Sequence, residues 1–222
     1  MPAHENAEAR ERTVEIPAAG RWVRGILRTP RSPIGVVAFA HGSGSGRFSP
    51  RNQFVARVLE EAGFATLLID LLEEDESEDR RKVFDIPLLA SRLRAAGKWL
   101  GEDGETRALP LGYFGASTGA AAALVAAAGD PDRVGSVVSR GGRPDLALEN
   151  LSLVKAPTLL IVGGRDEEVL ELNRQALAAL RCSKQLTVVP GATHLFSEPG
   201  TLEEVARLAA DWFLQTIGKA SS

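Results

Sequence analysis

From about residue 34 onward, short apolar runs alternate with longer stretches whose apolar positions recur every three or four residues. Gly35–Ala40, Ala65–Asp70, Leu111–Phe114, Val134–Ser139, Thr158–Val162 and Leu186–Val189 are short, β-branched and apolar at successive positions. Such runs are expected of parallel strands covered on both faces. Between them, Arg51–Ala62, Phe84–Leu100, Thr118–Ala128, Glu168–Arg181 and Leu202–Ile217 carry helical spacing. Upstream, Thr13–Ile16 and Trp22–Arg28 alternate with period two, as two antiparallel strands joined by a turn at Ala18–Gly20 would. Ser49-Pro50 offers a helix cap followed by a first-turn proline, and Gly63 and Gly129 stand where helices should stop. Repeated β-α alternation predicts an open α/β sheet with helices on both faces.

Two stretches break the pattern. Glu73 to Lys82 holds six acidic residues followed by Arg80, Arg81 and Lys82, and reads as a solvated loop leading into the next helix. Arg140 to Lys155, with Gly141, Gly142 and Pro144, has room for a loop and one short helix around Asp145 to Asn150. No internal repeat or interdomain linker is evident. The reading is one domain over residues 13–218, preceded by a polar, flexible tail at 1–12 that contains His4.

Composition narrows the class. The 222 residues suffice for one sizeable core, and 44% hydrophobic with 25% charged content is ordinary for a globular chain. A net charge of −3 gives no reason to expect nucleic acid or an anionic membrane as partner. The single cysteine, Cys182, excludes an internal disulfide framework and suits a reducing compartment. With no apolar secretory leader and no run of about eighteen apolar residues, a cytoplasmic protein is expected, monomeric or homodimeric.

The chemistry is carried by Gly115-Ala116-Ser117-Thr118-Gly119, set between a predicted strand and a predicted helix. In that context G-x-S-x-G is a nucleophile elbow, with the serine on a strained turn and glycines where strand and helix cross. A serine hydroxyl needs a positioned base. Of the three histidines, His194 follows the last predicted strand, so it meets Ser117 at the edge where parallel strands end. His41 reads as a loop-shaping residue. A base needs an acid to fix its tautomer. Asp166, after Thr158–Val162, satisfies the order Ser, Asp, His. Asp166 is also placed to cap the following helix, and Asp145 is the rival acid; Asp70 ends a strand but precedes the serine. The glycine-rich run His41-Gly42-Ser43-Gly44-Ser45-Gly46 offers one oxyanion donor, the Ser43 amide or alternatively that of Gly44, with the Thr118 amide as the other. It lacks the Lys-Ser/Thr ending of a phosphate-binding P-loop. Ser43 and Ser45 lack an elbow context. Arg140 and Arg143 border the site as candidate ligands for a substrate carboxylate or phosphate, or as braces pairing with Asp145 and Glu149.

Together, His41-Gly42, the elbow, Gly163-Gly164-Arg165-Asp166 and Gly191-Ala192-Thr193-His194 resemble an α/β-hydrolase of the dienelactone-hydrolase-like type, over about residues 20–217. The resemblance implies an eight-stranded, mostly parallel sheet with a short antiparallel second strand. It implies ester, thioester or lactone hydrolysis through an acyl-enzyme, with Ser117 as nucleophile, Asp166 as acid and His194 as base. No metal or organic cofactor is implied, and the partner is a small acyl substrate. Dienelactone hydrolases proper use a cysteine nucleophile; here the elbow holds serine, and Cys182 lies near a helix end. The chain also resembles hydrolase modules sometimes joined to phosphoribosyltransferase domains, and no such domain is read in this sequence. Arg140–Lys155 is too short for a helical lid, so no substantial lid domain and a rather open site are expected. Acyl transfer on the same residues is the near alternative. A non-catalytic ligand-binding module and a nucleotide-binding domain using the glycine loop are the distant ones.

Overall fold

The computed structural model describes residues 9–18 and 20–218. Ala19 of the expected turn, and residues 1–8 with His4 and most of the expected tail, lie outside the described residues. Eight strands form one sheet: β1 (Arg10–Ala18), β2 (Arg21–Thr29), β3 (Gly35–Ala40), β4 (Phe64–Ile69), β5 (Leu111–Ala116), β6 (Val134–Arg140), β7 (Thr158–Gly163) and β8 (Lys184–Val189). Their order across the sheet is β1-β2-β4-β3-β5-β6-β7-β8. Only β2 runs against its neighbours; all other adjacent pairs are parallel.

Two expectations about the first hairpin need correction. β2 is not short: with nine residues it matches β1. And β1 begins at Arg10, inside the expected tail. Arg10, Glu11 and Arg12 pair with Thr29, Arg28 and Leu27, while Arg12 holds Asp103 through two bonds of 2.8 and 2.9 Å. Charged residues extend a strand when each alternates outward and finds a counterion.

Five longer helices cover the sheet: α1 (Pro50–Glu61), α4 (Ile86–Leu100), α5 (Thr118–Gly129), α6 (Glu167–Ala179) and α7 (Thr201–Thr216). α1 and α7 bury one face against Phe39, Phe114 and Ile161. α4, α5 and α6 cover the other. α5 is alanine-rich and buried almost all round, so it lies close on the strands. Crossing there is tight enough that a methyl on Gly115 would sit 2.4 Å from Ala120 Cα, and one on Gly119 2.2 Å from the Ala40 carbonyl oxygen.

The stretch read as a solvated loop folds. It forms two short helices, α2 (Glu74–Ser77) and α3 (Arg80–Val83). Glu76 turns inward and is 3% exposed. It meets Arg92 of α4, itself 1% exposed, through two bonds of 2.5 and 2.9 Å, and Lys82 adds a third contact at 3.1 Å. Charge density along the chain marked this stretch as wet. One carboxylate nevertheless has a buried cation waiting for it, so the loop is drawn onto α4. The second irregular stretch forms a 3₁₀ helix, Pro144–Leu153, packed on α5 and α6. No helix among the described residues is long and apolar enough to cross a membrane.

Candidate active site

β3, β5, β6 and β7 end at one edge of the sheet, and the loops that follow them converge there. Ser117 is the residue between β5 and α5. Its backbone sits at φ 52° and ψ −121°, a region that L-residues rarely adopt. Neighbouring backbone holds it there: its amide donates to the Arg140 carbonyl at 3.2 Å, and its carbonyl accepts from the Arg143 amide at 3.1 Å. Ser117 Oγ has no hydrogen-bond partner among the described residues.

Asp166 occupies the N-cap position of α6, yet its carboxylate makes no capping bond. Instead Oδ2 lies 2.6 Å from His194 Nδ1. Of the two roles open to Asp166, its side chain takes the one toward histidine. The rival acid is otherwise engaged: Asp145 accepts both ends of the Arg143 fork, at 2.9 and 2.8 Å. Asp70 is likewise held by Arg47, through the backbone amide and the guanidinium. With Nδ1 bound to Asp166, Nε2 is the ring nitrogen left for a reacting group. The loop carrying His194 is pinned from beneath. The Arg165 amide donates to the Ala192 carbonyl at 2.9 Å, and Ala192 and Phe196 are buried in the α1–α7 core.

Ser117 and His194 line one cleft of about 210 Å³, together with Gly42, Ser43, Arg51 and Arg140. A roomier concavity, about 1020 Å³, lies elsewhere, among Glu15, Trp22, Arg24, Glu73 and Asp75. It holds neither Ser117 nor His194, so size does not select the reactive site.

The glycine-rich loop is shaped by His41, as expected. Its Nδ1 faces the Gly42 carbonyl at 3.0 Å, and Nε2 accepts the Leu71 amide at 2.8 Å. That pair of bonds fixes the proton on Nδ1. Burial lowers the pKa of this ring, consistent with a neutral structural residue. Gly42 to Ser45 then forms a turn with Gly44 at φ 68°, closed by the Ser45 amide on the Gly42 carbonyl. The Ser43 amide donates to Thr118 Oγ1 at 3.2 Å, so this expected oxyanion donor is engaged by a hydroxyl of the residue that carries the other. Gly44 is not on the Ser117 cleft. It lines a separate, narrower pocket with Leu72, Val83, Leu89 and Thr118, and the 42–45 turn divides the two. Arg143 is also absent from the cleft, bound to Asp145 as a brace. Arg140 does line it. Arg51, which sequence reasoning missed, lines it too; the signal available was its place in the first turn of α1, at the edge where the strands end. The thiol of Cys182 lies 3.7 Å from Thr158 Oγ1, away from the cleft lining.

Strand order, helix placement and the strained serine after β5 are those of an α/β-hydrolase. The chain belongs to the dienelactone hydrolase family, whose model matches residues 23–218. The crystal structure of a dienelactone hydrolase from Anabaena variabilis is 53% identical with a TM-score of 0.92, covering 95% of this chain and 99% of that one. A Mycobacterium tuberculosis protein with the provisional name phosphoribosyl transferase is 61% identical over 208 residues. The match takes in 94% of this chain but 47% of that protein, so the chain spans about half the length of the curated relatives it matches. Est1E from Butyrivibrio proteoclasticus, 16% identical with a TM-score of 0.79 over 93% of this chain and 99% of that chain, shares the fold.

Proposed function

We propose that this chain is a serine hydrolase that cleaves a carboxylic ester, thioester or lactone through an acyl-enzyme. The observation that carries the reading is the 2.6 Å contact of Asp166 with His194 Nδ1 at a cleft that His194 shares with Ser117. Ser117 Oγ attacks the substrate carbonyl carbon and its proton passes to His194 Nε2. Asp166 holds the ring in the required tautomer and stabilises the imidazolium. The tetrahedral oxyanion meets the Thr118 amide, at the positive end of α5, and the Ser43 amide once that donor turns from the Thr118 hydroxyl. His194 returns the proton to the leaving alcohol or thiol. Water, deprotonated by His194, then frees the acid and restores Ser117. The absence of a bond from Ser117 Oγ is compatible with this, because nucleophile–base contacts commonly tighten only with substrate bound.

The mycobacterial relative's name raises phosphoribosyl transfer as a second reading. That name describes a protein of which this chain matches 47%, and the matched part includes the Ser117 cleft. Treatment with a fluorophosphonate probe, followed by mass spectrometry, separates the two. Adduct at Ser117, abolished in Ser117→Ala and strongly slowed in His194→Ala, is the expected result. Asp166→Asn should lower turnover of an activated ester about 10⁴-fold while leaving the fold intact. Well-folded protein that takes no label at neutral pH would overturn the hydrolase reading.

A further inference from the structure

One buried residue of α6 breaks the apolar pattern of its face. Val169, Leu170, Asn173 and Ala176 turn inward, and Asn173 is fully buried. Asparagine is a poor helix former, and buried polar atoms ordinarily all find partners. Asn173 finds them for its nitrogen alone. Nδ2 donates to the Val169 carbonyl at 2.7 Å and to the Gly142 carbonyl at 3.0 Å. Two carbonyls can only accept, so the amide nitrogen must be the atom that faces them. Oδ1 is left buried with no partner among the described residues. An apolar side chain would meet the packing need at this position without a stranded oxygen.

The bond to Gly142 is the one that reaches the site. The Gly142 carbonyl belongs to the same peptide unit as the Arg143 amide, and a trans peptide points its C=O and N–H in opposite directions. The Arg143 amide donates to the Ser117 carbonyl at 3.1 Å. That carbonyl in turn shares its peptide unit with the Thr118 amide, which has no acceptor among the described residues. Three amide groups therefore stand head to tail: the Asn173 side chain, the peptide joining Gly142 to Arg143, and the peptide joining Ser117 to Thr118. Each nitrogen donates to the oxygen of the next group, and the last nitrogen is free. Hydrogen bonds in such a row polarise one another, so the terminal N–H is the strengthened donor. The Ala120 amide adds a second bond to the Ser117 carbonyl at 3.1 Å, in the same sense.

We infer that Asn173 is a positioning residue for the oxyanion hole: through this row it aims and polarises the Thr118 amide. The inference rests on the hydrolase reading, in which that amide meets the tetrahedral oxyanion. The same row steadies the strained nucleophile, because the ψ of −121° at Ser117 sets the plane of the peptide that follows it. Asn173 also lies about two turns beyond Asp166 on one helix. α6 thus carries the acid at its start and the origin of the row further along, so a single rigid element places both.

The test compares wild type with Asn173→Leu, which keeps the bulk and removes both donors; Asn173→Ala decides the matter if the larger side chain does not fold. Turnover of p-nitrophenyl acetate is measured together with inhibition by phenylboronate, whose tetrahedral adduct on a serine mimics the oxyanion. Far-UV circular dichroism checks the fold. The expected kcat is about tenfold lower with KM within about twofold, a fraction of the 10²–10³-fold lost when an oxyanion donor is removed outright. The phenylboronate inhibition constant should rise by the same factor as kcat falls, a pairing that loosened packing alone does not produce at constant KM. A folded variant with kcat and boronate affinity both unchanged would overturn the inference, as would a loss of kcat that leaves boronate affinity untouched. Wild-type protein that neither turns over the ester nor takes a fluorophosphonate label overturns the hydrolase reading, and the inference with it. An active wild type beside an indifferent variant overturns the inference alone.

Discussion

Residue by residue, the site is defined by what is too close to be altered. Gly119 lies under the backbone that leads into the glycine-rich loop, so a single methyl there meets the Ala40 and His41 carbonyl oxygens at 2.2 and 2.5 Å. Neither backbone oxygen can swing away like the tip of a side chain. Gly119→Ala should therefore cost about 3 kcal/mol of stability, read from urea unfolding. Gly44→Ala meets nothing within 4 Å and bears only the strain of φ 68°, about 1 kcal/mol. Equal losses at the two positions would refute this account of the elbow. The sequence made Ser117, Asp166 and His194 legible because glycine spacing, strand ends and chain order each constrain a position. It ranked Arg140 and Arg143 alike because both follow the expected strand Val134–Ser139. Strand alternation separates them: Arg140 shares its face with Val138, toward α1, whereas Arg143 lies beyond the strand and meets Asp145.

Among the elements, the α2–α3 segment depends most on a single contact. Arg92 was the clue in the sequence. It falls within the run of Ile86, Leu89, Ala90, Leu93 and Ala96 that faces the core, where a lone arginine requires a carboxylate. Nothing in the sequence told which of six nearby acids would supply it, because that choice is made by the path of the chain after β4. The bond to Arg92, ahead of the Glu73 amide and Lys82, holds the Glu76 pKa near 2 against an ordinary 4.5. Folding thus favours the ionised form. Its stabilisation is complete above about pH 4.5 and is lost as the pH falls from there toward 2. Glu76→Gln should accordingly destabilise by about 3–5 kcal/mol at pH 7, since it strands a buried guanidinium. The gap to wild type should narrow as the pH drops from 4.5 toward 2, because the unfolded chain takes up a proton there that the native carboxylate still refuses. Replacing both partners, Glu76→Leu with Arg92→Leu, should recover most of the loss. Thermal unfolding across pH 3 to 7 checks the set, and a pH-independent gap would show that packing rather than charge is at stake.

Across the molecule, groups 77 residues apart in sequence, from Ser117 to His194, meet through one continuous sheet. Ser117 and Asp166 follow β5 and β7, both fully buried, whereas His194 follows β8, an edge strand with only its last residue buried. On strand position alone, the histidine loop would open first. Its packing says otherwise. A methyl on Gly163 would lie 2.5 Å from the Ala192 carbonyl, Arg165 donates to that same oxygen, and Phe196 is buried with α7. The loop is thus tied to β7 and to the α1–α7 core rather than to β8 alone, and it should not come loose until that core does. In a urea series, fluorophosphonate labelling of Ser117 and far-UV circular dichroism should therefore fall together at one midpoint, as cooperative two-state unfolding requires. Labelling lost at distinctly lower urea, with the circular dichroism still native, would mean that the histidine loop opens on its own. β8, rather than the Ala192 and Phe196 anchors, would then set the stability of the site.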